Sequence, residues 1–482
     1  MSLNFSQILV PTQNEITIAE IDGKVLNLGS SEDQKLILYV NSEGIVFPSL
    51  QIPYHLSHPD LVHLGTRRVV TDLPTAPTAY RRFMDSSKNS IGEQIDQTQT
   101  FIQDVAQNIR SVLPTFLNNY LFNADTEEYM RYLRRKIDWS SARIIDWHPY
   151  FSIFAVVHRV DVIFLYDLRV EEWFSEVLEN SLQKEITCMA WKPLGGNILA
   201  VGCRRGICLW ELSLKQTKEP KPTRLPAWMR YLHYPGHENI LSCQFKFLTS
   251  GITSLATGSA DGSIILWDTA SETGTPLTRN RKVSFLSMSP VGEFLFSSSL
   301  DGKIDVWETQ RWTSKTISTN GYPVETGCWT ADGRALFLGF RQDDRIHVLS
   351  ISPNFDYEWL PKIDLSPIPE VADKGIEQLA IDPNGERLVA CFIDTRLLVV
   401  LDAKLPSQVS KKTNLLNFPR LMRGPAWNDP DDQGAFLVNA DPRPVSLSFA
   451  KQFNRGSLLC SMWEDGFISF IPFLYSKAKA NK

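Results

Sequence analysis

The chain has 482 residues, 49 basic against 54 acidic side chains and a formal net charge of −5; it is 43% apolar and carries 13 Trp. That is enough apolar matter for one large closed core, and the slight excess of acid argues against a protein that works by neutralising nucleic-acid phosphates. The seven Cys (Cys188, Cys203, Cys208, Cys243, Cys328, Cys391 and Cys460) form no C-x-x-C pair and mostly sit inside apolar runs, so they read as buried free thiols in a reducing compartment.

Residues 1–50 alternate as short strands. The clearest are Glu15-Ile16-Thr17-Ile18 and Lys35-Leu36-Ile37-Leu38-Tyr39-Val40, with turns at Asp22-Gly23 and Glu43-Gly44. Residues 51–80 read as a Pro- and His-bearing loop. Between 81 and 137 the period changes. Ile91, Ile95, Thr98, Ile102, Val105, Ile109, Val112 and Phe116 alternate at spacings of 4 and 3, one apolar stripe along a helix that Pro114 ends or kinks. A second helix starts at Asp125, where Glu128 completes a capping box. The stripe docks either on this chain's own β domain or on a partner helix.

From residue 141 the helical period stops and a strand–turn–strand unit recurs. Its clearest copy is residues 251–268, GITSLATGSADGSIILWD. Leu255, Ala256 and Gly258 end one strand, Asp261-Gly262 makes the turn, and Ile264-Ile265-Leu266-Trp267 closes on Trp-Asp, the signature of a WD-type blade. Earlier copies carry Trp147-His148-Pro149 and Trp191-Lys192-Pro193, about 44 residues apart, the length of one four-stranded blade. Later copies carry Val306-Trp307-Glu308, Cys328-Trp329, Ile381-Asp382-Pro383 and finally Phe467-Ile468-Ser469-Phe470-Ile471.

The expected fold is therefore all-β: a seven-bladed WD-type β-propeller over 141–475, with an inserted α-helical segment near the N-terminus. Residues 213–235 and 403–440 are read as surface insertions. The last blade runs out of chain after its third strand, at a polar tail over 476–482. An open blade would expose a sheet edge, so residues 1–50 are expected to close it, leaving 51–140 as a loop and helical excursion.

Chemistry is scarce. His237, Thr257, Asp261 and Trp267 resemble the hydrogen-bonded His–Ser/Thr–Asp–Trp set of WD blades, with Asp261 expected to accept from the His237 ring. This is a structural tetrad, since no nucleophile accompanies the His–Asp pair. No G-x-S-x-G, H-E-x-x-H, P-loop or EF-hand pattern occurs. His55, His58 and His63 cluster without Cys or paired carboxylates and read as a polar loop. No catalytic, cofactor or metal residue is assigned, and no cofactor is expected. Residues 1–10 lack the basic stretch of a secretory leader, and no apolar run reaches the roughly 18 residues of a membrane span. Arg204-Arg205 and Arg131 to Lys136 are basic patches, either solvated or docking surfaces for acidic partners. Tyr166-Asp167-Leu168-Arg169 is one residue away from the W-D-x-R box of propeller substrate receptors for ubiquitin ligases.

Several stretches go beyond a generic blade. Trp139-Ser140-Ser141, Ala190-Trp191-Lys192-Pro193 with Ile198-Leu199-Ala200-Val201, Pro235-Gly236-His237, Val306-Trp307-Glu308-Thr309-Gln310-Arg311-Trp312-Thr313 and Phe453-Asn454-Arg455-Gly456-Ser457-Leu458-Leu459 are similar to the aladin family of nucleoporins. Gly65-Thr66-Arg67, Thr326-Gly327-Cys328-Trp329 and Ile471-Pro472 agree with it in the same order. That resemblance implies a non-enzymatic scaffold of the nuclear pore complex. It further implies anchoring at the nuclear envelope by a transmembrane nucleoporin, other pore-complex partners, and roles in nucleocytoplasmic transport and at the mitotic spindle. Contact with membrane would then pass through a partner, with no direct contact to nucleic acid. The competing expectation is a ubiquitin-ligase substrate receptor that uses Arg169.

Overall fold

Seven sheets follow one another along the chain of this computed structural model, and their innermost strands face a common centre. The structure describes residues 8–51 and 144–475, apart from 13–14, 30–32, 43, 48, 158–160, 175, 194, 215–226, 247–253, 279–281, 320–321, 404–418, 425–441 and 465. The helical stripe and capping box expected within 81–137, and His55, His58 and His63, lie outside the described residues.

Blades 1 to 6 are four-stranded antiparallel sheets in chain order from the centre outward. Blade 3 is typical: Ile240–Phe245, Ser254–Ser259, Ile264–Asp268 and Thr273–Thr278. Its second and third strands are joined through Gly262, whose φ of +101° only glycine adopts without strain. The third strands are apolar on both faces, because each sheet is covered by a neighbour on either side. Seven buried clusters result, one at each seam between consecutive blades. Each fully buried Leu or Phe in them stabilises the fold by roughly 1.5–3 kcal/mol. Where the seams narrow, the second strand carries glycine: a Cβ on Gly258 would lie 2.6 Å from Val283 of the next blade, and one on Gly339 would lie 2.6 Å from Ile376.

Blade 7 is built from Pro444–Phe449, Gly456–Trp463 and Phe467–Leu474. Two pieces of N-terminal chain lie along the outer edge of its third strand. Ile16–Ile21 pairs parallel to it at Glu20 and Ile21, and Leu50–Gln51 pairs antiparallel at its other end. Ile16–Ile21 also forms a hairpin with Lys24–Leu28 through Asp22-Gly23. The six-stranded sheet that results mixes parallel and antiparallel neighbours, unlike the other six.

Three elements differ from the sequence reading. Lys35 to Val40 is not a strand but lies in the helix Gln34–Asn41. Asp33 caps it by accepting the Lys35 N–H at 3.0 Å, and Tyr39 anchors it through a hydroxyl that donates to the Ile45 carbonyl at 2.9 Å. Consecutive apolar residues without alternation suit two turns of helix as well as a strand, and the cap decides. Gly44 permits the return, since a Cβ there would lie 2.5 Å from the Tyr39 ring. The second and third differences are in the supposed insertions. Ala227–Leu232 and Arg420–Arg423 are outer strands of blades 2 and 6. Both strands are short and set Arg among their apolar residues, so their sequences carry too little apolar pattern to stand out from loop.

Candidate functional site

Blade 3 places His237, Thr257 and Trp267 in one chain of hydrogen bonds. The Trp267 indole N–H donates to Thr257 Oγ1 at 2.8 Å, and Thr257 Oγ1 meets His237 Nε2 at 2.8 Å. The other ring nitrogen, Nδ1, meets Ser263 Oγ at 2.7 Å. All four side chains are buried. Burial without a carboxylate partner pushes the His237 pKa down to about 4, so the ring is neutral at pH 7.

Asp261 is not the acceptor for His237. Its Oδ2 accepts the Glu238 backbone N–H at 2.8 Å, and its carboxylate stays at the exposed turn. Ser263 takes the place expected of Asp261, because the positive-φ Gly262 turns the chain so that the residue after it faces the ring. The thiols of Cys328, Cys391 and Cys460 are pushed far above their ordinary range by burial, which leaves them protonated and unreactive. Among the described residues, no three His, Cys, Asp or Glu side chains converge as metal ligands would.

Other blades keep parts of the network. In blade 4 Trp307 donates to Ser297 at 3.0 Å, at the same ten-residue spacing as Trp267 to Thr257. Trp210 donates to Gln183 at 2.7 Å and Trp463 to Ser469 at 2.8 Å. Blade 1 has Tyr166 where blades 2 to 4 have Trp, and its Asp167 holds Arg169. The Arg169 guanidinium donates to both Asp167 oxygens, at 3.1 and 2.6 Å. Arg204 is likewise paired, with Glu185 at 2.8 Å.

A second network escaped the sequence reading altogether. Glu20, on the N-terminal strand, is fully buried and accepts from Arg387 Nε at 3.0 Å and from its NH2 at 2.8 Å. Arg387 also reaches Asp402 at 3.0 Å, and Arg420 reaches the same carboxylate at 2.5 Å. The Arg387 guanidinium lies 5.3 Å from the Tyr475 ring centre, and the Tyr475 hydroxyl donates to Asp382 at 2.9 Å. Thr17 adds a link by accepting the Arg423 N–H at 3.1 Å. The N-terminal strand is thus tied to blade 6 by side chains and to blade 7 by its backbone. No spacing rule in the sequence connects residues 367 positions apart.

Comparison with known proteins matches these features at two scales. The WD domain, G-beta repeat model fits residues 229–268 and 274–308. Each match starts within the outer strand of one blade and ends with the third strand of the next, so the sequence repeat straddles a seam. Over a much longer span, the chain is 27% identical across 359 residues to "Aladin" of Arabidopsis thaliana, covering 69% of this chain and 75% of that one. The chain is a WD-repeat propeller similar to Aladin over most of its length. Among solved structures, the β-propeller domain of Cps50 (Swd1) from Myceliophteria thermophila has the same fold. It superposes with a TM-score of 0.50 at 14% identity, over 68% of this chain and 96% of that one. The residues described above hold the blades of this propeller in place.

Proposed function

We propose that this Aladin-like chain is a non-enzymatic scaffold of the nuclear pore complex. In this reading it is held at the nuclear envelope through a transmembrane nucleoporin, binds other pore-complex proteins and supports nucleocytoplasmic transport. One observation carries the reading: the similarity to Aladin runs over 359 residues, far beyond the two WD repeats that any propeller shares. The buried networks add support, since a fold whose polar groups are spent on holding blades together works by binding. Among the described residues no helix is long and apolar enough to cross a membrane, which is consistent with attachment through a partner. The mitotic role at the spindle rests on the family resemblance alone. The ubiquitin-ligase reading needs Arg169 exposed on the rim beside an adaptor-sized patch; its side chain is 39% exposed and its guanidinium is held by Asp167.

Proximity labelling from the full chain in cells tests the proposal. Labelled pore-complex and inner-envelope membrane proteins are the expected outcome. Labels dominated by ubiquitin-ligase subunits, without envelope proteins, would overturn it.

A further inference from the structure

The outer strand of blade 5, Tyr357–Ile363, differs from those of blades 3 and 4. Those read TGTPLT and TSKTIS; this one reads YEWLPKI and leaves Tyr357 and Trp359 exposed. Beside Trp359 lies a cleft of about 390 Å³ between the blade 4–5 link and the outer face of blade 5. Its base is the buried Phe340 and the half-buried His347, whose rings are 4.5 Å apart, and Trp359 stands edge-on to His347 at 6.1 Å. Tyr322, half exposed, faces the cleft from the link. The volume falls within the range of sites that hold one bulky side chain or a small ligand. Aromatic residues at such a mouth are the types that anchor protein partners.

The charges around the cleft are layered. Asp343 and Asp344 lie low, with 22% and 8% of their side chains exposed, while Arg345 and Lys362 stand above them at 50% and 47%. Asp343 is already engaged by Arg345 Nε at 3.1 Å, His347 Nε2 at 2.9 Å and Lys362 at 3.7 Å. The carboxylates are covered by the cations that pair with them, so what a ligand meets first is the outer faces of Arg345 and Lys362 around an aromatic cleft.

We infer that this cleft is a docking site for a partner peptide that inserts an aromatic side chain between Tyr322 and Trp359 and sets a flanking Asp or Glu against Lys362 and Arg345. Apolar burial anchors the insert, and the cations select its neighbours by charge. A basic partner peptide is disfavoured, because Asp343 and Asp344 lie beneath Arg345 and Lys362. The inference rests on the reading that this propeller works by binding, and on nothing about where in the cell it does so.

The test is selection of random 12-residue peptides by display on the full chain, followed by solution affinities of the winners for the wild type, Trp359→Ala and Lys362→Glu. The expected winners carry an aromatic residue flanked by Asp or Glu, and they lose at least tenfold in affinity on either substitution and weaken with added salt. Lys362 is largely exposed, so Lys362→Glu keeps the fold and the test stands even if Trp359→Ala is unstable. Winners that bind Lys362→Glu as well as wild type, winners rich in Lys or Arg, or no enriched motif would overturn the inference. Proximity labelling separates this from the pore reading. Envelope labels with no peptide preference sink the cleft alone, whereas an acidic-aromatic preference without envelope labels sinks the pore reading alone.

Discussion

Blade 3 and the seam between blades 6 and 7 are locked by different chemistry. Blade 3 uses neutral groups, all drawn from the stretch between His237 and Trp267, with Thr257 as the hub. The last seam uses a buried ion pair, Glu20 with Arg387, between segments 367 residues apart. Position in the chain explains the contrast. A blade in mid-chain finds its neighbours by sequence order, and hydrogen bonds need only fix the shape of a turn. At the chain's end two distant segments must meet, at an entropic cost that grows with the loop between them. They must also meet in one register along an otherwise open sheet edge. A buried carboxylate that fits one guanidinium specifies register more sharply than apolar packing does, because every misplaced alternative leaves a charge unpaired.

The largest break in this comparison comes from removing the N-terminal hairpin. Deleting residues 1–29 exposes the outer edge of Phe467–Leu474 and takes away Leu28 and Val25, which are buried or packed at that end of the propeller. The expected result is loss of monomeric protein to aggregates by size-exclusion chromatography. Next is Glu20→Gln, which takes away the fully buried charge partner of Arg387, leaves it only the more exposed Asp402 and should cost about 3 kcal/mol, read as a lower urea midpoint. Combining it with Arg387→Met should restore part of the loss, since neither charge is then left alone. Full restoration would mean that the pair sets register and adds little net stability.

On the neutral side, Thr257→Val leaves the Trp267 indole and the His237 ring without their shared partner, for a loss of about 2 kcal/mol. Stability should also fall on acidification. His237 and His148 are both held down to about 4 by burial, against about 6.5 in an unfolded chain. The unfolded state therefore binds protons first as pH drops below about 6.5, and each His costs about 2 kcal/mol by pH 5. The loss is complete only near pH 4. Asp261, raised to about 6 by desolvation, works the other way: its folded form takes up a proton first and gains stability as pH falls. Because its carboxylate lies at an exposed turn, water screens that gain and the His terms win. Urea midpoints at pH 7 and pH 5, for wild type and for His237→Gln, separate the contributions.

How much of this was legible follows the same division. Blades were readable wherever strands are covered on both faces, as at Ile264-Ile265-Leu266-Trp267, because such runs are apolar throughout. The outer strands Ala227–Leu232 and Arg420–Arg423 were not, since half their residues meet water. The His237–Thr257–Trp267 chain was expected from the resemblance of these residues to the hydrogen-bonded set of WD blades. Ser263 was missed because turn geometry, and not residue type, chooses which side chain faces the ring. Glu20 was missed because its partner is set by the closing of the ring of blades. The blade 5 cleft left a trace in YEWLPKI, whose aromatics are out of place for an exposed strand.

Asp261 gives the smallest effect and the sharpest distinction. Asn at 261 still offers Oδ1 to the Glu238 N–H, so Asp261→Asn should change stability by no more than about 0.5 kcal/mol. Ser263→Ala removes a buried partner of the His237 ring and should cost about 1 kcal/mol. The two substitutions also differ in what they do to the ring. A carboxylate bonded to His237 would favour the imidazolium, and its removal would lower the pKa. With Ser263 as the actual partner, the His237 resonances in Asp261→Asn should titrate near 4, as in wild type. A pKa that drops on Asp261→Asn would put the carboxylate back on the ring and make blade 3 an ionic lock, removing the contrast with the seam at Glu20.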